Sequence, residues 1–166
     1  MGVCPAQEMV PAYGRGERFK MEMQFFYPVV IQQQGEQAFQ AALPDFPEAG
    51  TGSTSLEGAL SAVTASLAAA VSHRIKHNQP VPAPSVAKGR DRHWAVLPAL
   101  LSAKAALYLA MRRSGISKVA LARQLNQDEK EVRRLLDPAH PSKLPRIEAA
   151  LAVLGMRLVV GMSCQS

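Results

Sequence analysis

TSLEGALSAVTASLAAAVSHRIKH, residues 54–77, is the stretch on which the fold turns. It opens on Thr54-Ser55-Leu56-Glu57, a capping-box pattern in which the Thr54 hydroxyl satisfies a free N–H of the first turn and Glu57 reaches back. Leu56, Leu60, Val63, Leu67, Val71 and Ile75 then recur every three or four residues, the single apolar stripe of an amphipathic helix. Small Ala and Ser residues fill the other positions, which lets the helix approach a sheet closely. The helix should end near His77-Asn78.

The chain before this helix is strand-like. Residues 24–32 carry FFYPVVI, a β-branched and aromatic run. Pro28 has no N–H to give a ladder, so it predicts an edge strand or a bulge. Gln34-Gly35-Glu36 reads as a turn, and residues 37–43 pair back as a second strand anchored by Phe39. Pro44-Asp45-Phe46-Pro47 should stop that hairpin, with a short extended piece over Ala49–Gly52. After the helix, prolines at 80, 82 and 84 make Gln79–Ser85 a semi-rigid extended segment, the first part of a connector over 79–92. Trp94–Leu97 is a last strand, bounded by Pro98. Residues 1–20 lack apolar periodicity and read as a disordered leader, which an upstream start codon before Met21 would explain.

After Pro98 the pattern is helical throughout. Helices are expected over 104–114, ended by Gly115; over 118–125, capped by Ser117; over 129–136, capped by Asp128 and stopped by Asp137-Pro138; and over 144–154, ended by Gly155. Leu158, Val159 and Val160 have the composition of a short strand. The expected class is α+β: a leader (1–20), a β-β-β-α-β domain (21–97) and an all-α domain (98–166).

The net charge of +6 on 166 residues is unevenly spread. Residues 1–90 hold 7 Lys and Arg against 7 Asp and Glu, whereas residues 91–166 hold 12 against 6 and so carry all of it. Such asymmetry points to a nucleic-acid-binding segment or to a basic solvated face, and charge alone does not choose. No apolar run has the ~18 residues that a membrane span needs. No secretory signal opens the chain, so a cytoplasmic protein is expected. Cys4 and Cys164 lie outside any metal-type spacing and are expected as free thiols.

Within the basic half, Lys118–Leu136 has the spacing of a helix-turn-helix. Leu121, Ala122 and Leu125 point inward from the first helix, with small Ala122 at the closest crossing. Asn126 falls at the turn, where a positive φ is needed and Asn is among the few residues that tolerate it. Val132, Leu135 and Leu136 face inward from the second helix, leaving Lys130, Arg133 and Arg134 on its outer side. Ser117 and Lys118 open the first helix. Ser142 and Lys143 precede the last helix, a natural phosphate position. These seven residues, Ser117, Lys118, Lys130, Arg133, Arg134, Ser142 and Lys143, form the candidate DNA-contacting set. Glu129 and Glu131 oppose phosphate but also suit a helix N-terminus.

Catalytic chemistry is not legible. His73 and His77, at i and i+4, read as cationic caps of a helix end rather than a metal pair. Asp45 and Glu57 have roles in a turn and a cap, and no Gly-rich phosphate loop or nucleophile motif is present. The expectation is a binding protein without enzyme activity, cofactor or metal.

Two segments together carry a resemblance: YPVVI (27–31) with PDFPEAGTGSTSLEGAL (44–60) and QPVPAPS (79–85), and then residues 104–155. From Gln24 to Val160 the chain resembles the HicB antitoxin family, in its helix-turn-helix version. It departs from the family at Glu48-Ala49, where Gly-Cys is common, and at Gly58, which replaces an acid. The resemblance implies a degenerate ribonuclease-H-like sheet-and-helix domain without its catalytic carboxylates. It also implies a HicA-like mRNA-cleaving toxin as partner, operator DNA as ligand, and autorepression. A homodimer or dimer of dimers is expected from the two-half-site geometry of such DNA readers. A ligand-responsive repressor without a toxin remains the alternative reading, and a residual ribonuclease the third.

Overall fold

The computed structural model describes residues 23–35, 37–86 and 93–161. The leader, Glu36, the later part of the connector and both cysteines lie outside the described residues. The elements are β1 (Phe26–Gln33), β2 (Phe39–Leu43), β3 (Phe46–Ser53), α1 (Leu56–Lys76), β4 (His93–Val96), α2 (Ala99–Ser114), α3 (Lys118–Gln124), α4 (Glu129–Leu136) and α5 (Leu144–Val153). This is the expected α+β class, a four-stranded sheet with one long helix followed by a helical part.

The sheet runs β3-β2-β1-β4, and every neighbouring pair is antiparallel. Pro28 corrects one expectation: β1 is an interior strand. Its pairing with β2 spans Val30–Gln33 and its pairing with β4 spans Phe26–Val29, so Pro28 lies beyond the β2 ladder. The Pro44-Asp45 turn does not end the hairpin region either. Leu43 faces Phe46 across it, and β3 continues for eight residues. Pro47 is tolerated there because β3 is an edge strand.

The first helix also differs in detail. Its cap is Ser55, whose hydroxyl accepts from the Gly58 N–H, and not Thr54. A Cβ on Gly58 would sit 2.4 Å from Ser53 Oγ and 2.9 Å from Ser55 Oγ. Glycine at this position leaves room for the two serine hydroxyls at the helix start. The buried ridge is Ala59, Val63, Leu67, Val71 and Ile75, an unbroken i, i+4 row. Leu60 is half-buried and Leu56 exposed, so small Ala59 replaces them at the closest approach to the sheet. Tyr27 and Phe46 are fully buried beneath this ridge, edge to face at 5.1 Å. The other face of the sheet leaves Phe26, Val30, Trp94 and Val96 exposed.

The connector is pinned rather than loose over its described part. The Tyr27 hydroxyl donates to Pro82 O at 2.9 Å, and the Ser85 N–H donates to Asp45 Oδ2 at 3.0 Å. Arg74 pairs with Glu48 at 2.7 Å, lies 4.9 Å over the Phe46 ring and donates to Pro80 O. From α2, the Tyr108 hydroxyl donates to Gln79 O at 2.7 Å, tying the helical part to the end of α1.

Burial, then the nearby Asp45 carboxylate, pushes the Tyr27 phenol up to about 12, outweighing the opposing pull of Arg74. An acid whose folded pKa is raised contributes stability below its unfolded pKa and loses it as pH climbs through the folded value. Between pH 10 and 12 the domain should therefore lose on the order of 2–3 kcal/mol. Denaturant titrations at pH 9 and pH 12 measure this, and Tyr27→Phe should remove the part of the loss that belongs to this phenol.

One expected helix limit moves, and one expected strand is not formed. The helix placed at 104–114 begins at Ala99, directly after β4 and Pro98, so that Leu101, Ala103 and Lys104 are buried within it. Leu158–Val160 is not a strand: Val159 and Val160 are exposed and Leu158 only partly covered.

Candidate nucleic-acid interface

The pair α3 and α4 is built by local signals that agree with one another. Gly115 ends α2 in the left-handed region, φ 66°. Ser117 then caps α3 by accepting from the Ala120 N–H at 3.1 Å, and Asp128 caps α4 by accepting from the Lys130 N–H at 3.1 Å. Between them Asn126 takes φ 51°. The Gln127 N–H bonds Ala122 O and the Asn126 N–H bonds Arg123 O, which closes the end of α3 in a Schellman motif. Leu121, Ala122, Val132, Leu135 and Leu136 are buried with Ile147, Ala150 and Leu151 of α5. Leu125, expected inward, is half-buried.

With the apolar side turned in, the outer side of α4 presents Lys130, Arg133 and Arg134, all exposed. Both arginines are paired with acids of their own helix: Arg133 with Glu129 at 2.8 Å and Arg134 with Glu131 at 2.5 Å. Arg146 of α5 reaches the second oxygen of Glu131 at 2.7 Å, so one carboxylate bridges two helices. Hydrogen bonding from Arg134 holds the Glu131 carboxyl below the usual carboxylate range, against desolvation and with the Arg146 hydrogen bond adding to it. Exposed intrahelical pairs of this kind contribute little to stability, because water screens them. They are weak enough to exchange for a phosphate or a base.

The remaining members of the candidate set fall in two places. Ser117 and Lys118 are exposed at the start of α3 and line an open groove of about 330 Å³ with Asn78, Tyr108, Arg112 and Leu136. Most polar groups of that groove already bond each other or the backbone: Arg112 donates to Asn78 O and to the Tyr108 oxygen. Lys143 is exposed just before α5, whereas the Ser142 hydroxyl is engaged internally. It donates to Arg134 O at 3.2 Å and accepts from Lys104 Nζ at 2.8 Å.

Lys104 and Arg146 were not singled out by sequence reasoning. Lys104 is the only charged side chain buried among the described residues, and its ammonium also donates to the carbonyls of Arg134, Leu135 and Asp137. Its one visible signal is a lone cation inside the apolar run of residues 100–111 (LLSAKAALYLAM). Arg146 carried no signal beyond an exposed position in a short helix. His73 and His77 stack at 4.0 Å, and the His77 ring bonds His73 O, an arrangement at a helix end.

The fold and this site define a class: a sheet-and-helix domain continued without a break into a helical part whose outer face is basic. Residues 26–106 match the family model described as the HicB-like antitoxin of bacterial toxin–antitoxin systems. Antitoxin HicB of Pseudomonas fluorescens is 31% identical over 118 residues, covering 71% of this chain and 81% of that protein. Antitoxin HicB of Escherichia coli is 28% identical over 136 residues, covering 82% and 98%. Antitoxin HicB 2 of Photorhabdus laumondii is 30% identical over 132 residues, covering 80% and 92%. The chain belongs to the HicB antitoxin family. Among the described residues no helix is long and apolar enough to cross a membrane.

Proposed function

We propose that this protein neutralises a HicA-like mRNA-cleaving toxin by direct binding and represses its own operon by binding operator DNA, acting in the cytoplasm by binding and not by catalysis. The observation that carries the DNA half is the helix pair with its left-handed Asn126 turn and the outward Lys130, Arg133 and Arg134. Lys143, Ser117 and Lys118 are read as flanking phosphate contacts. Ser142, with its hydroxyl occupied, is read as support for that loop. The toxin is assigned to the sheet domain, residues 24–97. The exposed Phe26, Val30, Trp94 and Val96 favour this placement, because contiguous uncovered apolar surface marks interaction sites. The groove at Asn78 and Arg112 favours the ligand-responsive alternative less, since most of its polar groups are already partnered.

One preparation tests both halves. Trp94→Glu places a charge on the uncovered sheet face and should weaken toxin inhibition at least about tenfold. Binding to the duplex upstream of its own reading frame should be unchanged. Loss of DNA binding with intact inhibition would reverse the assignment of the two surfaces. A homodimer or dimer of dimers is part of the same proposal, with the exposed Val159 and Val160 as candidate contacts. Sedimentation at micromolar concentration should give at least a dimer, and a monomer there would refute it.

A further inference from the structure

The buried ammonium of Lys104 has no role in the functions proposed above, and its surroundings are specific. It lies on α2, yet all four of its hydrogen-bond partners belong to the last turn of α4 and the segment that follows it. They are Arg134 O at 3.2 Å, Leu135 O at 3.1 Å, Asp137 O at 2.7 Å and Ser142 Oγ at 2.8 Å. An ammonium has three protons to give, so it is fully used, with one of them shared. The first three acceptors are carbonyls at the end of α4, where the negative end of the helix dipole lies, and Arg134 O and Asp137 O also accept from the N–H groups of Asp137 and His140. The fourth belongs to the residue immediately before Lys143.

One cation therefore fixes the end of the outward basic helix and the loop that carries Lys143. Ser142 closes the arrangement by donating to Arg134 O, with the His140 ring 3.3 Å from the same hydroxyl. Taking an ammonium out of water is costly, and desolvation draws its pKa below the ordinary lysine value even with Asp137 nearby. An apolar residue would fill an all-α core at lower cost. It would take the cation away from those carbonyls and leave the loop without its tie to α2.

We propose that Lys104 is a positioning residue for DNA binding: it sets the recognition helix α4 and the Pro138–Lys143 loop in one relative geometry without touching the nucleic acid. The proposal rests on the DNA-binding reading above. Ser142 is its acceptor in the loop, which gives that residue a role other than a phosphate contact.

The test measures affinity for the duplex upstream of the protein's own reading frame, over a range of salt and well below each variant's melting temperature. Lys104→Met should weaken binding about tenfold or more. The slope of log affinity against log salt should match the wild type, because no phosphate contact is removed. Lys143→Ala is the contrast, and should flatten that slope by about one. Toxin inhibition by Lys104→Met should stay at the wild-type level. If Lys104→Met does not fold, Ser142→Ala takes its place, with a severalfold loss at unchanged slope, and Ser142→Thr, which keeps the hydroxyl, should recover the affinity. Wild-type affinity in Lys104→Met, or in Ser142→Ala where that is the variant used, would overturn the proposal. So would a flattened slope in Lys104→Met, which would make the lysine a direct contact. A wild-type protein that binds no such duplex would instead remove the DNA-binding reading itself, and the positioning role with it.

Discussion

Phe46→Ala should destabilise the protein by about 3–5 kcal/mol, a large fraction of the ~5–15 kcal/mol available to a typical domain. Phe46 is fully buried, packs edge to face on Tyr27, and carries the Arg74 guanidinium 4.9 Å over its ring. Truncation leaves a cavity under α1 and strips the ring from beneath Arg74, whose pairing with Glu48 and bond to Pro80 O help hold the connector. Phe46→Leu keeps most of the volume and should cost clearly less. Urea unfolding of the two variants gives the comparison. A loss below about 1 kcal/mol for Phe46→Ala would mean that the core is not centred on this ring. Toxin inhibition should fall in step with the folded fraction.

Arg133→Ala and Arg134→Ala should each weaken operator binding by roughly 1–3 kcal/mol if the side chain reads a base, with relaxed preference at that position. If it meets only phosphate, the loss should be similar on all sequences and the salt dependence shallower. The structure adds an effect that the sequence did not show: each arginine is paired with an acid of the same helix, so removing Arg133 also frees Glu129 to repel the DNA backbone, whereas Glu131 keeps its pairing with Arg146 when Arg134 is removed. Glu129→Gln should accordingly strengthen DNA binding, opposite in sign to Arg133→Ala. Both arginines are exposed, so thermal stability should change little, and toxin inhibition should persist. The informative measurement takes DNA affinity and toxin inhibition on the same mutant protein. Unchanged DNA binding in Arg133→Ala would show that the outer face of α4 is not the contact surface. Loss of toxin inhibition with DNA binding intact would overturn the division between the halves.

What the sequence determined by itself is nearly everything decided within one turn of chain. Ser117 and Asp128 cap the helices expected of them, Gly115 and Asn126 take the left-handed turns, and α1 ends at His77-Asn78. Each depends on hydrogen bonds or dihedral preferences within about five residues, so a local pattern suffices. The hairpin order and the family resemblance were legible for the same reason: strand composition and turn residues recur in a fixed order. Only the tertiary structure decided which side of α1 is buried deepest, since Ala59 displaces Leu56 where the sheet comes closest. It also decided that Pro28 sits in an interior strand past the end of one ladder, and that α2 starts at Ala99. Lys104 is the clearest case. Its partners lie 30 to 38 residues away, and a lysine in an apolar helix shows its purpose only once the carbonyls that receive it have been brought there by folding.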